Sequence, residues 1–228
     1  MSNIVKITTI PNLFDIIAPH SCRGCGHIGS PLCNCCKKYI IKHHQNYCPN
    51  CKTQNINGIC QKCSNLPPTF VVDRRSSLIG TLAEDYKFLS NRSLANSLSD
   101  ILNQIIPNLK GDVVIVPLPT NTKHIRERGL DHTFLLAKKL ARLRGKNYSV
   151  QKLLSRAHNT TQVGTNKKQR LTQAEKAYSI NPKITINSEK TYLLLDDIWT
   201  TGASMKSALK KLREAGASKV IITLLAVS

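Results

Sequence analysis

A short apolar run, Leu193-Leu194-Leu195, leads into Asp196-Asp197-Ile198-Trp199 and then into Thr200-Thr201-Gly202-Ala203-Ser204. The apolar residues read as a buried strand, with the paired aspartates at its C-terminal end. Adjacent carboxylates repel, and an unpaired buried charge is costly, so the pair suits a strand end that meets a ligand. There the two can accept hydrogen bonds from ribose hydroxyls or approach a Mg²⁺ ion. The Thr-Thr-Gly-Ala-Ser that follows reads as a phosphate cradle opening a helix. Helix N-termini leave amide N–H groups unpaired and carry partial positive charge, which suits an anion. Thr200, Thr201 and Ser204 add hydroxyl donors, and Gly202 allows close backbone approach. Strand, carboxylates and anion turn together are a layout for holding a sugar phosphate.

A second loop carries complementary chemistry. Asp112 to Val116 reads as a buried strand stopped by Pro117-Leu118-Pro119-Thr120, which leads into Arg126-Glu127-Arg128-Gly129. Pro119, Thr120, Arg126 and Arg128 are candidates for holding a pyrophosphate, because guanidinium groups make planar, charge-assisted contacts to phosphate oxygens. Read as a turn before a helix, the arginines would be unfavourably placed beside the helix dipole without an anion. Between Lys138 and Ala174 there are ten Lys or Arg residues and no Asp or Glu. That run reads as a basic face, or as a flap that orders around an anionic ligand, with Arg156, Gln162 and Arg170 standing out in it.

All nine cysteines lie between Cys22 and Cys63. Eight form Cys-x-x-Cys pairs: Cys22/Cys25, Cys33/Cys36, Cys48/Cys51 and Cys60/Cys63. Such knuckles place two thiolates on one face of a turn, and two knuckles complete a tetrahedral zinc site. Pairing neighbours gives one site from Cys22, Cys25, Cys33 and Cys36 and another from Cys48, Cys51, Cys60 and Cys63. Interleaved pairing satisfies the same spacing. Cys35 is left over as a plain thiol, and His27, His43 and His44 are not needed as ligands. This segment has few large apolar residues, so metal must supply much of its folding free energy.

Lys and Arg outnumber Asp and Glu by 33 to 13, a net charge of +20. Anionic zinc–thiolate centres would leave the chain strongly basic, which points to a polyanionic or phosphorylated partner. The start, Met1 to His20, lacks the charge and apolar pattern of a secretion signal, and no apolar run has membrane-spanning length. A cytoplasmic protein without membrane insertion is expected. Residues 8–17 read as a lead-in helix, and Leu66-Pro67-Pro68 as a stiff linker. Val71-Val72 opens a second region. Helical periodicity follows at Leu78–Phe88, Ser93–Ile106 and Gly129–Leu143, and a last helix and strand at Ala203–Ala215 and Val220–Val227. Strands alternating with helices imply a mostly parallel sheet.

The Asp196–Ser204 stretch resembles the phosphoribosyl pyrophosphate (PRPP) signature of type I phosphoribosyltransferases. That resemblance implies that Asp196 and Asp197, the catalytic pair, contact the ribose 2′ and 3′ hydroxyls, and that Thr200, Thr201, Gly202, Ala203 and Ser204 bind the 5′-phosphate. The whole chain resembles the ComF family, a double zinc ribbon fused to a type I phosphoribosyltransferase domain. The residues that carry this are the cysteine pairs, Tyr86-Lys87-Phe88, Pro117-Leu118-Pro119, Arg126-Glu127-Arg128-Gly129, Gln162, Arg170, Ala177-Tyr178 and the PRPP signature. It implies an α/β fold: residues 1–66 a lead-in helix and double zinc ribbon, residues 69–228 a phosphoribosyltransferase-like domain with a mostly parallel sheet flanked by helices. It implies two structural zinc ions and PRPP bound with Mg²⁺. It also implies a role in natural transformation, handling incoming single-stranded DNA beside a competence helicase and recombination proteins. The alternative is an active phosphoribosyltransferase of nucleotide salvage, displacing pyrophosphate with a nitrogen nucleophile. The chain departs from the family where Leu130-Asp131-His132 replaces Phe-Asn-Gln. His124 stands where arginine is common, and Gln173 where asparagine is usual.

Overall fold

A computed structural model describes residues 20–63, 65–88, 93–156 and 178–228. The lead-in segment at 8–17, Gln162, Arg170 and Ala177 lie outside the described residues. Five parallel strands form the main sheet in the order β1-β7-β6-β2-β3: β1 Thr69–Arg74, β2 Val113–Pro117, β3 Tyr148–Val150, β6 Thr191–Trp199 and β7 Lys219–Val227. A parallel sheet covered on both faces needs nearly continuous apolar strands. Val113-Val114-Ile115-Val116 meets that demand, and every residue of β2 is buried.

Alternation along the strands divides the interior in two. Leu193 and Leu195 join Val113 and Ile115 in one apolar cluster, whereas Tyr192 and Leu194 join Val114 and Val116 in the other. The first cluster takes its helices from α2 (Leu78–Phe88), α3 (Leu94–Ile105) and α5 (His132–Arg144). The second is closed by α6 (Ala203–Glu214) through Met205, Ala208, Leu209 and Leu212. The β6–α6–β7 unit joins neighbouring parallel strands, the arrangement whose carboxyl edge receives ligands. The expected mostly parallel sheet flanked by helices is therefore what the chain forms.

Several local details differ from the sequence reading. Strand β6 continues through both aspartates to Trp199. Arg126 and Arg128 lie in the last turn of a short helix, α4 (Thr122–Arg128), not in a turn before one. Asn121 caps that helix by accepting from the Lys123 amide, and Gly129 ends it at φ 64°. Cations are favoured at a helix C-terminus, so the dipole of this helix stabilises both arginines without any bound anion. A two-stranded antiparallel ribbon, β4 (Leu154–Arg156) with β5 (Tyr178–Ile180), has no clear sequence signal because each strand is only three residues long.

Ahead of the sheet, α1 (Asn34–Lys42) starts at Cys33, whose sulfur accepts from the Cys36 amide. The region around it packs Leu32, Ile40 and Ile41 with the first cluster and is tied to α3 and α2 by ion pairs. Lys37 pairs with Asp100 at 2.6 Å, and Arg23 with Asp85 at 2.5 Å. Strand β1 is an edge strand, and edge strands need cover. Here Asn46 donates to the Thr69 carbonyl (2.9 Å) and accepts from the Val71 amide (2.7 Å). The Thr69 amide donates to the Gly58 carbonyl at 2.8 Å. His44 Nδ1 bonds the Val72 carbonyl at 2.8 Å, consistent with its exclusion from the metal ligands.

Candidate anion-binding site and metal centres

The sheet's carboxyl edge opens into a cavity of about 250 Å³. Its wall includes Pro119, Thr120, Arg128, Arg156, Asp196, Asp197, Thr200 and Ser204. The Leu118 amide donates to the Leu195 carbonyl at 2.9 Å, which holds the Pro-Leu-Pro loop beside the end of β6. A smaller adjoining hollow of about 50 Å³ is formed by Asp196 and the run Ile198 to Met205, with Leu224. It sits over the first turn of α6, whose N-cap is Gly202 at φ 75° with no side-chain cap. A Cβ at Gly202 would collide with the Trp199 indole, so the cradle's shape requires glycine on both counts.

Not every candidate reaches the cavity. Arg128 does, with its guanidinium 4.8 Å from the Phe88 ring centre, but Arg126 is exposed and outside the lining. Four residues separate one helical turn from the next, so two positions two apart face different ways. Arg156 arrives on β4, and the neighbouring Tyr178 on β5.

The aspartates differ sharply. Asp197 is 3% exposed. Its Oδ2 receives Lys87 Nζ at 3.0 Å and His132 Nε2 at 3.1 Å, and its Oδ1 receives the Ile198 amide at 2.7 Å. Burial alone would raise its pKa, but His132 and Lys87 hold it well below the usual carboxylate range. Asp196 is half-buried, and its Oδ1 accepts the Asp197 amide at 2.9 Å. Burial, and then the fixed charge of Asp197, push Asp196 well above the usual range. A pair of carboxylates pushed apart in this way has one permanent anion and one that ionises readily only when a donor or cation arrives.

Lys87, His132, Arg75, Phe88 and Tyr178 line the cavity without having been singled out by spacing. The sequence offers Lys87 only as a motif residue and His132 only as a departure from a pattern. Nothing local indicates that α2 and α5 bring both onto one carboxylate of β6.

The cysteines resolve into the two neighbouring sets. Cys22, Cys25, Cys33 and Cys36 bring their sulfurs within 4.8 Å of one another, as do Cys48, Cys51, Cys60 and Cys63. Interleaving is thereby ruled out. Sulfurs about 2.3 Å from one zinc ion stand roughly 3.8 Å apart at tetrahedral angles. Cys25 and Cys33 are 3.6 Å apart and Cys51 and Cys60 3.5 Å, so each set fits zinc. Amides also point at the sulfurs: Cys33 and Gly24 donate to Cys22 at 3.3 and 3.4 Å. Burial would raise the Cys22 thiol, but amides of Cys33, Cys25 and Gly24 lower it to about 6. Cys51 is likewise lowered to about 6, first by the Thr53 hydroxyl. In the same sets Cys36 is pushed up, first by burial, and Cys63 up to about 12, first by the Cys51 sulfur, so one thiolate of each set forms readily and its neighbours lose their protons as a cation arrives. Cys35 is exposed and belongs to neither set.

The chain is thus an α/β protein with a parallel sheet, a candidate anion site at its carboxyl edge and two four-cysteine sets ahead of it. No protein-family model matches the chain. The chain is similar over most of its length to three competence proteins. It is 26% identical to competence protein F of Haemophilus influenzae, covering 92% of this chain and 96% of that protein. It is 27% identical to ComFC of Streptococcus pneumoniae (84% and 85%) and 23% identical to ComFC of Bacillus subtilis (81% and 79%). Among solved structures, a hypoxanthine phosphoribosyltransferase from Staphylococcus aureus aligns with a TM-score of 0.35 and 16% identity, covering 58% of this chain and 60% of that one. Among the described residues, no helix is long and apolar enough to cross a membrane.

Proposed function

We propose that this chain binds PRPP, presented with Mg²⁺, at the carboxyl ends of β2 and β6, and acts in handling incoming single-stranded DNA during natural transformation. One observation carries the ligand assignment. Asp196 on β6, Thr200 and Ser204 at the start of α6, Arg128 at the end of α4 and Arg156 on β4 line a single cavity. Acidic groups for hydroxyls, a helix N-terminus for a phosphate and guanidinium groups for a pyrophosphate are the three chemistries PRPP presents. The names of the competence-protein relatives support the role in transformation. The net charge of +20 supports a polyanionic partner.

Calorimetry with PRPP and Mg²⁺ tests the ligand. The unmutated chain should bind, and Asp196→Asn should weaken binding by about tenfold or more, the value of a charge-assisted hydrogen bond. Because the Asp196 pKa is raised, its carboxylate is lost as pH falls through a higher value than for an ordinary acid. Affinity should therefore decline on the acid side earlier than the ordinary carboxylate value of ~3.9 would give. No binding at any pH overturns the ligand assignment. The DNA role predicts that log K for single-stranded DNA falls steeply with log salt, and a flat slope counts against it.

A second reading, a phosphoribosyltransferase, is favoured by the fixed anion of Asp197 beside the cavity. A ribose ring that loses pyrophosphate develops positive charge, which such an anion stabilises. Pyrophosphate release with a nitrogen nucleophile would establish turnover. PRPP binding without release across nucleobase and amine acceptors would leave a binding module.

A further inference from the structure

Successive side chains of a strand point to opposite faces. Asp196 and Asp197 both lie inside β6, so they inherit the alternation of the residues before them. Asp197 has the parity of Leu193 and Leu195, toward α2 and α5; Asp196 has the parity of Tyr192 and Leu194, toward α6 and the cradle. The hydrogen bonds agree. Both oxygens of Asp197 are engaged, by Ile198 on one side and by Lys87 and His132 on the other. Both aspartates line the larger cavity, but Asp196 alone of the two also lines the cradle.

We propose that His132, assisted by Lys87, is a positioning residue that fastens Asp197 inward and leaves Asp196 as the carboxylate presented to the ribose hydroxyls. The proposal rests on the PRPP reading above and divides roles that the paired aspartates would otherwise share. His132 is the first residue of α5, 4% exposed, and its carbonyl accepts the Tyr86 hydroxyl at 2.7 Å. The Tyr86 ring stands edge-on to the imidazole, 6.1 Å between centres. The imidazole is thereby held from two sides. Among the described residues its buried Nδ1 has no hydrogen-bond partner, and Nε2–H to Asp197 is the polar contact that orients the ring. The proton is placed on Nε2 because a carboxylate oxygen faces it. Asp197 in turn offers its backbone amide to Asp196 Oδ1, so the strand segment that carries one carboxylate also fixes the other.

The test uses the full-length, metal-loaded chain and three substitutions. His132→Leu keeps bulk and removes the donor, His132→Gln restores a donor, and Lys87→Met removes the second partner. Each is titrated with PRPP plus Mg²⁺ and with pyrophosphate plus Mg²⁺, with thermal unfolding alongside. His132→Leu should lose about tenfold in PRPP affinity, and His132→Gln should recover most of it. Lys87→Met should lose PRPP affinity too. Pyrophosphate affinity should fall by less than PRPP affinity in both His132 variants, because pyrophosphate carries no ribose hydroxyls. A folded His132→Leu that binds PRPP normally overturns the proposal. So does an equal loss in the Leu and Gln variants, or a parallel loss of pyrophosphate binding. If His132→Leu does not fold, Lys87→Met and His132→Gln decide: normal PRPP binding by Lys87→Met, or a full loss by His132→Gln, overturns it. Imidazole ¹⁵N shifts give an independent reading: His132 should show a protonated Nε2 that shifts in Asp197→Asn. No PRPP binding by the unmutated chain overturns the ligand reading and the role given to Asp196, while the ¹⁵N shifts still report whether His132 holds Asp197.

Discussion

The two four-cysteine centres have the same ligands, yet they stand in different relations to the rest of the molecule. The first is continuous with the main core. Cys22 and Leu32 belong to the apolar cluster that includes Leu193 and Leu195, and Cys33, Cys36, Ile40 and Ile41 pack against it. The second rests on the sheet edge through polar contacts. Asn46 brackets β1, Lys52 donates to the Ser228 carbonyl, and the tip between Ile56 and Ile59 leaves those residues 74% and 60% exposed. Equal coordination chemistry therefore has unequal structural reach. A metal centre fixes only its own knuckles; how far that order spreads depends on the apolar surface it shares with its surroundings.

Removing one ligand from each centre tests the contrast, and the largest effect is expected here. Structural zinc can contribute ~10–16 kcal/mol of apparent folding free energy. Cys36→Ser and Cys60→Ser should each lower bound zinc from two ions to one. Cys36→Ser should also depress the main thermal transition strongly, because Leu32, Ile40 and Ile41 lose their support. Cys60→Ser should leave that transition within a few degrees of the unmutated chain. Equal depression by both, read by metal analysis and calorimetric melting, would show that the two centres support the core alike.

A smaller effect is expected at the sheet edge. Asn46→Ala leaves the Val71 amide and the Thr69 carbonyl without their side-chain partner. An unsatisfied buried group costs about 1–3 kcal/mol, and each kcal/mol moves the transition of a chain this size by roughly 2–4 °C. Hydrogen exchange at the Val71 amide should accelerate while amides of β6 stay protected. Unchanged exchange at Val71 would show that the second centre does not guard the edge.

The smallest effect belongs to Lys37→Ala, which removes the pair with Asp100. Both side chains are partly exposed, and such pairs contribute ~0–1 kcal/mol. Stability should change within that range and become insensitive to salt. A loss of several kcal/mol in chemical denaturation would mean that polar contacts, not Leu32 and its neighbours, join the first centre to the core.

Much of the fold was legible because its signals are local. Val113–Val116 and Leu193–Leu195 announce buried strands, Gly202 and Gly216 bound the helix between β6 and β7, and the cysteine spacing announces metal. The candidate cradle was legible for the same reason, since a helix N-terminus and its hydroxyls are neighbours in the chain. Less legible was everything set by direction. Arg126 and Arg128 looked equivalent until helix α4 turned only Arg128 toward the cavity. The ribbon that carries Arg156 and Tyr178 has strands too short to show a period.

Legible from the sequence alone were the candidate metal ligands, the order of the longer strands and helices, and the residue types gathered at the carboxyl edge of the sheet. Composition and near-neighbour spacing are sufficient for each of these. Only the tertiary structure decided that the cysteines pair as neighbours, that one centre shares the core and the other does not, and that Asp196 and Asp197 differ. The physical reason is that each of those facts is a contact between distant parts of the chain. Lys87 and His132 meet Asp197 from two helices on one face of the sheet, while the strand's alternation turns Asp196 to the other.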